Sequence, residues 1–324
     1  MRGGNAMTNA LHEPVSIVLT TYNGADYLDE QLQSLVAQTY KNIDVWIRDD
    51  GSSDATLDIV RRYCGQEFDG IAFHLVEDDL GNLGSGHSFR QILFTIPQAS
   101  YYAFCDQDDV WEPQKVERAV ATIAELGQDE PALYAANYAV CDGELNRIGH
   151  GRTCVPIEQM NVGRCFFNYG AGLGQGFTLL FNHALKEIAF PPGYGERGPD
   201  TWLWAVTAGL GANYVYDDYE SAKYRRHDAT ITATGKGKLA LWKTRLRQFR
   251  EGTFFVRTAK AADFYRQLYY DQMTKPEDRL FLDAFGHYSE FGKRRLRKAR
   301  YPYRLKLTVA EEIATRLAFI CGKY

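Results

Sequence analysis

Three aspartates fall within four positions at the end of an apolar run, in "CDQDDVW" over residues 105–111. Asp106 and Asp108 are two apart, so in an extended segment their side chains share one face. Carboxylates this close repel unless a cation, a hydrogen-bond network or water absorbs the charge. Two of them at a strand end make a site for a hard divalent cation, Mg²⁺ or Mn²⁺, which keeps open positions for phosphate oxygens. An Asx turn leading into the helix after Pro113 uses the same residues, and spacing alone leaves both readings open.

A second acidic cluster, Asp49-Asp50-Gly51-Ser52-Ser53-Asp54, has the composition of a turn and helix start. A carboxylate at a strand end also accepts the imide N–H of uracil or thymine, or a ribose hydroxyl. Thr20, Thr21 and Tyr22 can wall the same pocket, with Tyr22 stacking on a base. In "YRRH" the imidazole of His227 can complete a metal shell or touch a diphosphate, and it equally suits a surface position. Arg225 and Arg226 are rigid forks for phosphate, of which one must point away if the segment is extended.

Alternating elements must position these clusters. "VSIVLTTY" (15–22), "NIDVWIRDD" (42–50), "IAFHLVE" (71–77) and "YYAFC" (101–105) read as strands. Helical spacing follows each of them: Leu28, Leu32, Leu35 and Val36 in 26–38, then 53–64 with Ser53 as N-cap, 84–96, and a helix opened by Pro113. This rhythm predicts an α/β fold with a parallel sheet covered on both faces. Ligands of such sheets collect beyond the carboxyl ends of the strands, where "TTYNG", "RDDGSSD" and "DQDDVW" all fall. Further on, 132–142 reads as a strand, 169–185 as a glycine-rich segment, 193–211 as a loop into an aromatic helix, and 212–218 and 220–227 as two short strands. From about Lys236 the pattern is helical, and 308–322 is amphipathic with Thr308 and Glu311 as a capping box.

The 324 residues are 45% hydrophobic and carry a net charge of −4, which gives no global argument for nucleic acid. The run "KRRLRKARYPYRLK" (293–306) is strongly basic, a solvated face or a contact for anionic lipid or diphosphate. Six scattered cysteines (64, 105, 141, 154, 165 and 321) without CxxC pairs suit reduced thiols. Neither a signal-peptide core nor an 18-residue apolar span is present, so a cytoplasmic protein with peripheral attachment at the inner membrane face is expected.

The stretch "VSIVLTTYNGADYLDEQLQSLVAQTYKNIDVWIRDDGSSDAT" followed by "FCDQDDVW" resembles the nucleotide-sugar domain of family 2 glycosyltransferases, which have a GT-A fold. "DQDDVW" and "YRRH" are most similar to bacterial rhamnosyltransferase-like members that build surface polysaccharide. The resemblance covers roughly residues 14–230. It implies a catalytic domain over 14–230 with a nucleotide-sugar half (14–112) and an acceptor half (113–230); a flexible terminus over 1–13 and a helical, basic and partly amphipathic region over 231–324 are expected on either side.

Residue by residue, the resemblance implies that Thr21, Tyr22 and Asn23 contact the nucleotide and that Asp50, with Asp49 beside it, contacts the base. Asn82 and Gly84 match the segment that closes over the nucleotide. Asp106 and Asp108 match the DxD pair for Mg²⁺ or Mn²⁺, Trp111 the sugar pocket, and His227 the late histidine of the metal or diphosphate. Family 2 enzymes invert the anomeric carbon and need a general base; "PDTWLW" matches its position and makes Asp200 the candidate. Asp200 also suits the N-cap of a helix starting at Thr201. "GQGFTLLFN" (174–182) is expected to wall the acceptor side. The implied donor is dTDP-rhamnose, then a UDP-hexose, and the implied acceptor a saccharide on a polyprenyl diphosphate. A sugar-nucleotide nucleotidyltransferase would show a glycine- and arginine-rich loop after the first strand, where this chain has "TTYNGADY". A non-catalytic nucleotide-sugar-binding protein would have lost one of the carboxylates.

Overall fold

A computed structural model describes residues 12–127, 129–151, 159–168, 174–192, 198–227, 255–287 and 295–322. Cys154, Lys293 and Arg294, most of the terminus over 1–13 and parts of the 169–185 and 193–211 readings lie outside them. The chain divides into two compact units. The first takes the described residues of Met1–Thr153, Gly174–Asp200 and Ala212–Arg226, and the second those of Cys154–Leu173, Thr201–Gly211 and His227–Tyr324.

In the first unit, β1 (Val15–Thr21), α1 (Ala25–Val36), β2 (Ile43–Asp49), α2 (Thr56–Cys64), β3 (Ile71–Leu75), α3 (Ser85–Thr95) and β4 (Tyr101–Cys105) alternate as the apolar pattern predicts. Val15, Ile17, Val18 and Leu19 of β1 are all fully buried. Burial on both faces is why that strand is a continuous β-branched run rather than an alternating one. β1 pairs in parallel with β2 on one side and β4 on the other, and β2 pairs in parallel with β3. The order β3-β2-β1-β4 puts a topological switch at β1, the place where open parallel sheets bind ligands.

Beyond β4 the sheet becomes mixed. β5 (Val110–Trp111), β6 (Ala132–Cys141), β7 (Arg147–His150), β8 (Leu179–Asn182) and β9 (Asn213–Arg225) complete nine strands among the described residues, continuing the order as β4-β8-β6-β9-β5 with β7 beside β6. β8 is antiparallel to both β4 and β6, whereas β6 and β9 are parallel. The two short strands expected over 212–227 are one strand. The register of β9 against β6 shifts after Ala136 and Asn137, so the pairing carries an irregularity past Asp217-Asp218 instead of breaking there. α4 (Lys115–Ala124) buries Val116, Ala119, Val120 and Ile123 at helical spacing, and α6 (His183–Ala189) is capped by the Asn182 side chain.

In the second unit, α5 (Val162–Phe167) and the later helices α8 (Val256–Tyr269), α9 (Pro276–Phe285), α10 (Arg295–Ala299) and α11 (Val309–Ile320) surround an aromatic core. Phe166 meets Trp202 and Tyr265, while Phe167 meets Phe281, Phe285 and Phe319. Trp202 belongs to α7 (Pro199–Leu210). Thr308 caps α11 by accepting from the Glu311 amide at 3.3 Å, as the sequence indicates. Among the described residues no helix is long and apolar enough to cross a membrane.

Candidate active site

Parallel pairing aligns Thr21 with Asp49 and Leu19 with Cys105, so the three polar clusters emerge side by side at the carboxyl ends of β1, β2 and β4. The Thr21 hydroxyl donates to Asp49 Oδ1 at 2.8 Å, and Ser52 adds donors from its hydroxyl at 2.6 Å and its amide at 2.8 Å. Asn23, at a φ of +46°, donates its amide to Ser52 Oγ and accepts from the Ser53 amide. These bonds fasten the loop after β1 to the loop after β2. The helix start expected at Ser53 is shifted: α2 begins at Thr56, whose amide donates to Asp54 Oδ1 at 3.0 Å.

Asp50 is 3% exposed and turned into the protein. Its carboxylate accepts from Arg48 Nη1 (2.5 Å), the Leu83 amide (2.7 Å), the Gly84 amide (2.7 Å) and the Ser88 hydroxyl (2.8 Å). Burial alone would push its pKa up, but these donors outweigh it and hold the carboxyl below its usual range. Arg48 also makes a bidentate pair with Asp78 at 2.8 Å and donates to the Gly81 carbonyl. Asn82 Nδ2 donates to the Asp50 carbonyl at 2.8 Å, and Gly84 has a φ of +75° that a side chain would strain. Four protein donors meet the Asp50 carboxylate, which through them pins the 78–84 loop; a base contact through Asp50 is a proposal. Asp49 is only partly buried, and its carboxylate accepts from Thr21, the Gly51 amide and Ser52. Arg48 was missed because an arginine inside a strand pattern reads as a surface residue.

The aspartates of the third cluster separate. Asp109 is fully buried, and its Oδ1 accepts from the Arg225 amide at 3.0 Å. Burial, then the charges of Asp106 and Asp108, push its carboxyl well above the normal range. Asp106 is pushed up to about 7, first by burial, then by the charges of Asp108 and Asp200. Asp106, Asp108 and Asp200 thus form one electrostatic cluster. Gln107, which sequence reasoning passed over, grips Tyr22 by accepting from its amide at 2.8 Å and donating to its carbonyl at 3.1 Å. The Tyr22 side chain itself is 51% exposed.

Arg225 and Trp111 both lie inside the protein. Arg225 is 2% exposed, and its guanidinium is engaged by protein acceptors. Its Nε donates to the Asp108 carbonyl at 2.9 Å, its Nη1 to the Gly143 carbonyl at 2.5 Å, and its Nη2 pairs with Glu30. Trp111 is a core residue of β5, 2% exposed, with Lys115 Nζ 4.5 Å from its ring centre. Its amide donates to Ser34 Oγ, and burial pulls Lys115 down to about 7.

Asp200 lies in the first turn of α7, which starts at Pro199 rather than Thr201, so it is inside the helix and not its N-cap. Proline is preorganised for the first helical position, which extends the helix by two residues. A methyl group added to Gly176 would stand 3.5 Å from Asp200 Cβ, so the segment 174–182 does back the candidate base. His227 follows β9 by two residues and opens the stretch grouped with the second unit.

Among the described residues no set of three or more His, Cys, Asp or Glu side chains is arranged around one ion position. Asp106 and Asp108 nonetheless fit a hard divalent cation. They are oxygen donors, and their crowding is the kind of repulsion such an ion relieves. The acidic cluster sits at the switch point of the parallel sheet, the place where open sheets of this kind bind ligands.

The profile of "Glycosyl transferase family 2" matches residues 16–184, just over half of the chain. The chain belongs to that family. Uncharacterized glycosyltransferases of Rickettsia species match at 25–30% identity, and the chain spans 24–70% of their length. The Escherichia coli protein WfaP, described as a UDP-Glc:alpha-D-GlcNAc-diphosphoundecaprenol beta-1,3-glucosyltransferase, is 26% identical over 68% of this chain and 80% of its own. Among solved structures, Staphylococcus aureus TarS with UDP-GlcNAc superposes with a TM-score of 0.59 at 16% identity, covering 96% of this chain and 82% of TarS. The mannosyltransferase PcManGT of Pyrobaculum calidifontis, with GDP-Man and Mn²⁺, gives 0.53 at 15% identity, covering 97% and 76%. These likenesses establish the GT-A fold, and the family makes the chain a glycosyltransferase.

Proposed function

We propose that this enzyme transfers a hexose or N-acetylhexosamine from a nucleoside diphosphate donor to a saccharide hydroxyl on a polyprenyl diphosphate carrier, inverting the anomeric carbon. The observation that carries the reading is the grouping of Asp106, Asp108 and Asp200 at the carboxyl end of the parallel strands. The names of WfaP and of the TarS complex support a UDP-sugar ahead of the dTDP-rhamnose implied by "DQDDVW". The PcManGT complex supports Mn²⁺ as a workable ion.

In this reading the exposed ring of Tyr22 stacks on the base, and the Asp49–Asp50 pair meets its imide, with Thr21 and Asn23 fixing that loop. The loop carrying Asn82 and Gly84, pinned on Asp50, borders the nucleotide. Asp106 and Asp108 would hold Mg²⁺ or Mn²⁺, which when bound offsets negative charge on the leaving diphosphate. Asp200 takes the acceptor's hydroxyl proton as its oxygen forms a bond to the anomeric carbon from the face opposite the departing diphosphate. Gly176 leaves the backbone side of Asp200 uncrowded. His227 as a further ligand is a separate proposal, tested by Mn²⁺ titration of His227→Ala.

The test is a donor screen on the purified chain with Mn²⁺, offering UDP-glucose, UDP-GlcNAc, GDP-mannose and dTDP-rhamnose with and without a GlcNAc-diphosphopolyprenol. Release of UDP from one UDP-sugar, accelerated by the acceptor, is expected. Silence with every donor would defeat the proposal.

A further inference from the structure

α11 carries two apolar faces. One is buried in the second unit through Thr315, Ala318 and Phe319. The other is open: Val309 is 65% exposed, Ile313 56%, Leu317 55% and Ile320 53%. At 3.6 residues per turn these four fall within an arc of about 80°, opposite the buried side chains. α10 packs on α11, the Arg295 guanidinium comes against Gly322 at the helix end, and Leu296 of α10 is exposed as well.

The charge of this segment is mostly positive. Residues 295–322 hold seven basic and two acidic residues in a chain whose net charge is −4. Arg295, Arg297, Arg300 and Arg304 are exposed, Arg297 lying 3.6 Å from Asp283, whereas Lys298 is buried. Of the acids, Glu312 is spent on Arg316 and the Leu305 and Lys306 amides. Glu311 remains exposed and bonds Thr308 at the start of the helix, the end away from Arg295.

We propose that α10 and α11 form a docking face for an anionic phospholipid bilayer. Aliphatic side chains on one arc, rimmed by arginines, suit the boundary between acyl chains and negatively charged headgroups. A second copy of this chain is a poorer occupant. Like-charged rims would meet, and four half-exposed aliphatic side chains offer roughly half of the ~800 Å² per partner of a stable interface. The inference does not depend on the lipid-linked acceptor, because the surface lies in the second unit and needs no carrier lipid.

The test is sedimentation of the full chain with vesicles of phosphatidylcholine alone or mixed with phosphatidylglycerol, both free of acceptor. Binding to the anionic vesicles only, weakened by salt, is expected. Arg300→Gln with Arg304→Gln should lower the partition constant about 25-fold, near fivefold per charge. Ile313→Ser with Leu317→Ser should lower it at least about tenfold. All four side chains are exposed, and a urea denaturation midpoint equal to that of the parent chain serves as the check on folding. Absence of binding to anionic vesicles, or binding that ignores both double variants, overturns the proposal. So does a dimer in light scattering that Leu317→Ser dissociates. None of these results would touch the donor screen, and failure of that screen would leave the vesicle result standing.

Discussion

Arg225 holds the acidic turn after β4 from beneath: its amide donates to the Asp109 carboxylate at 3.0 Å while its Nε donates to the Asp108 carbonyl at 2.9 Å. One residue on the last strand of the sheet therefore fixes the backbone from which Asp108 projects. A lysine keeps the charge but cannot span the Asp108 carbonyl, the Gly143 carbonyl and Glu30 together. Arg225→Lys should fold and lose about tenfold or more in Mn²⁺ affinity measured with bound nucleotide, the range for residues that orient ligands without touching the ion. Calorimetric affinity equal to that of the parent chain would mean that the turn holds itself.

Asp108 and Asp200 belong to one electrostatic neighbourhood but have separable duties. Asp108→Ala should abolish the Mn²⁺-dependent part of nucleotide binding. Asp200→Asn keeps the size and polarity of the side chain but cannot take a proton. It should bind the nucleotide within a factor of about two and lose on the order of 10²–10⁴ in kcat. A turnover near that of the parent would show that the base lies elsewhere.

The Arg48 guanidinium is shared by Asp50 and Asp78, and all three lie on one loop-to-strand clamp. Arg48→Met leaves the Asp50 carboxylate buried without its cation, which costs about 3–5 kcal/mol. Asp78→Asn removes one charge from a pair that stays satisfied at Asp50, and should cost about 1–2 kcal/mol. Urea denaturation of the two variants checks the order. If Asp78→Asn is the more damaging, the loop rather than the buried charge governs stability.

The parallel half of the fold was legible because burial on both faces leaves runs such as Val15–Leu19 with no polar position to confuse the period. The clusters at the strand ends were legible for the same reason, since a buried strand must stop where carboxylates begin. What each carboxylate faces was not. Asp106, Asp108 and Asp109 look alike in sequence, and only the bond from the Arg225 amide reveals that Asp109 turns inward. Arg225 itself read as a phosphate fork, because a pattern cannot show that three acceptors from distant segments already fill its guanidinium. The motif marks Asp50 as a carboxylate that matters without saying that its partners are Leu83, Gly84 and Ser88. β9 was split at Asp217-Asp218, a pair that reads as a turn, where the strand instead passes through with shifted register.

The second unit carries a titration of its own. Asp278 on α9 is fully buried, and its Oδ1 accepts from the Val162 amide at the start of α5 at 2.7 Å. Burial pushes its carboxyl up to about 6 against the partial opposition of that bond. A carboxyl raised on folding binds its proton more tightly in the native state than in the unfolded chain. Its contribution is therefore fully present below about pH 4 and lost as pH rises through about 6, with a total near 3 kcal/mol for a shift of about two units. Asp50, held low by its donors, has the opposite sign and loses its contribution on acidification below its usual range. Asp278→Asn keeps an acceptor for Val162 and removes the ionisation, so it should gain stability relative to the parent between pH 5 and pH 8. Urea denaturation at the two pH values measures the difference. A gain that does not grow with pH would show that Asp278 stays ionised within the helical core and is balanced there by another group.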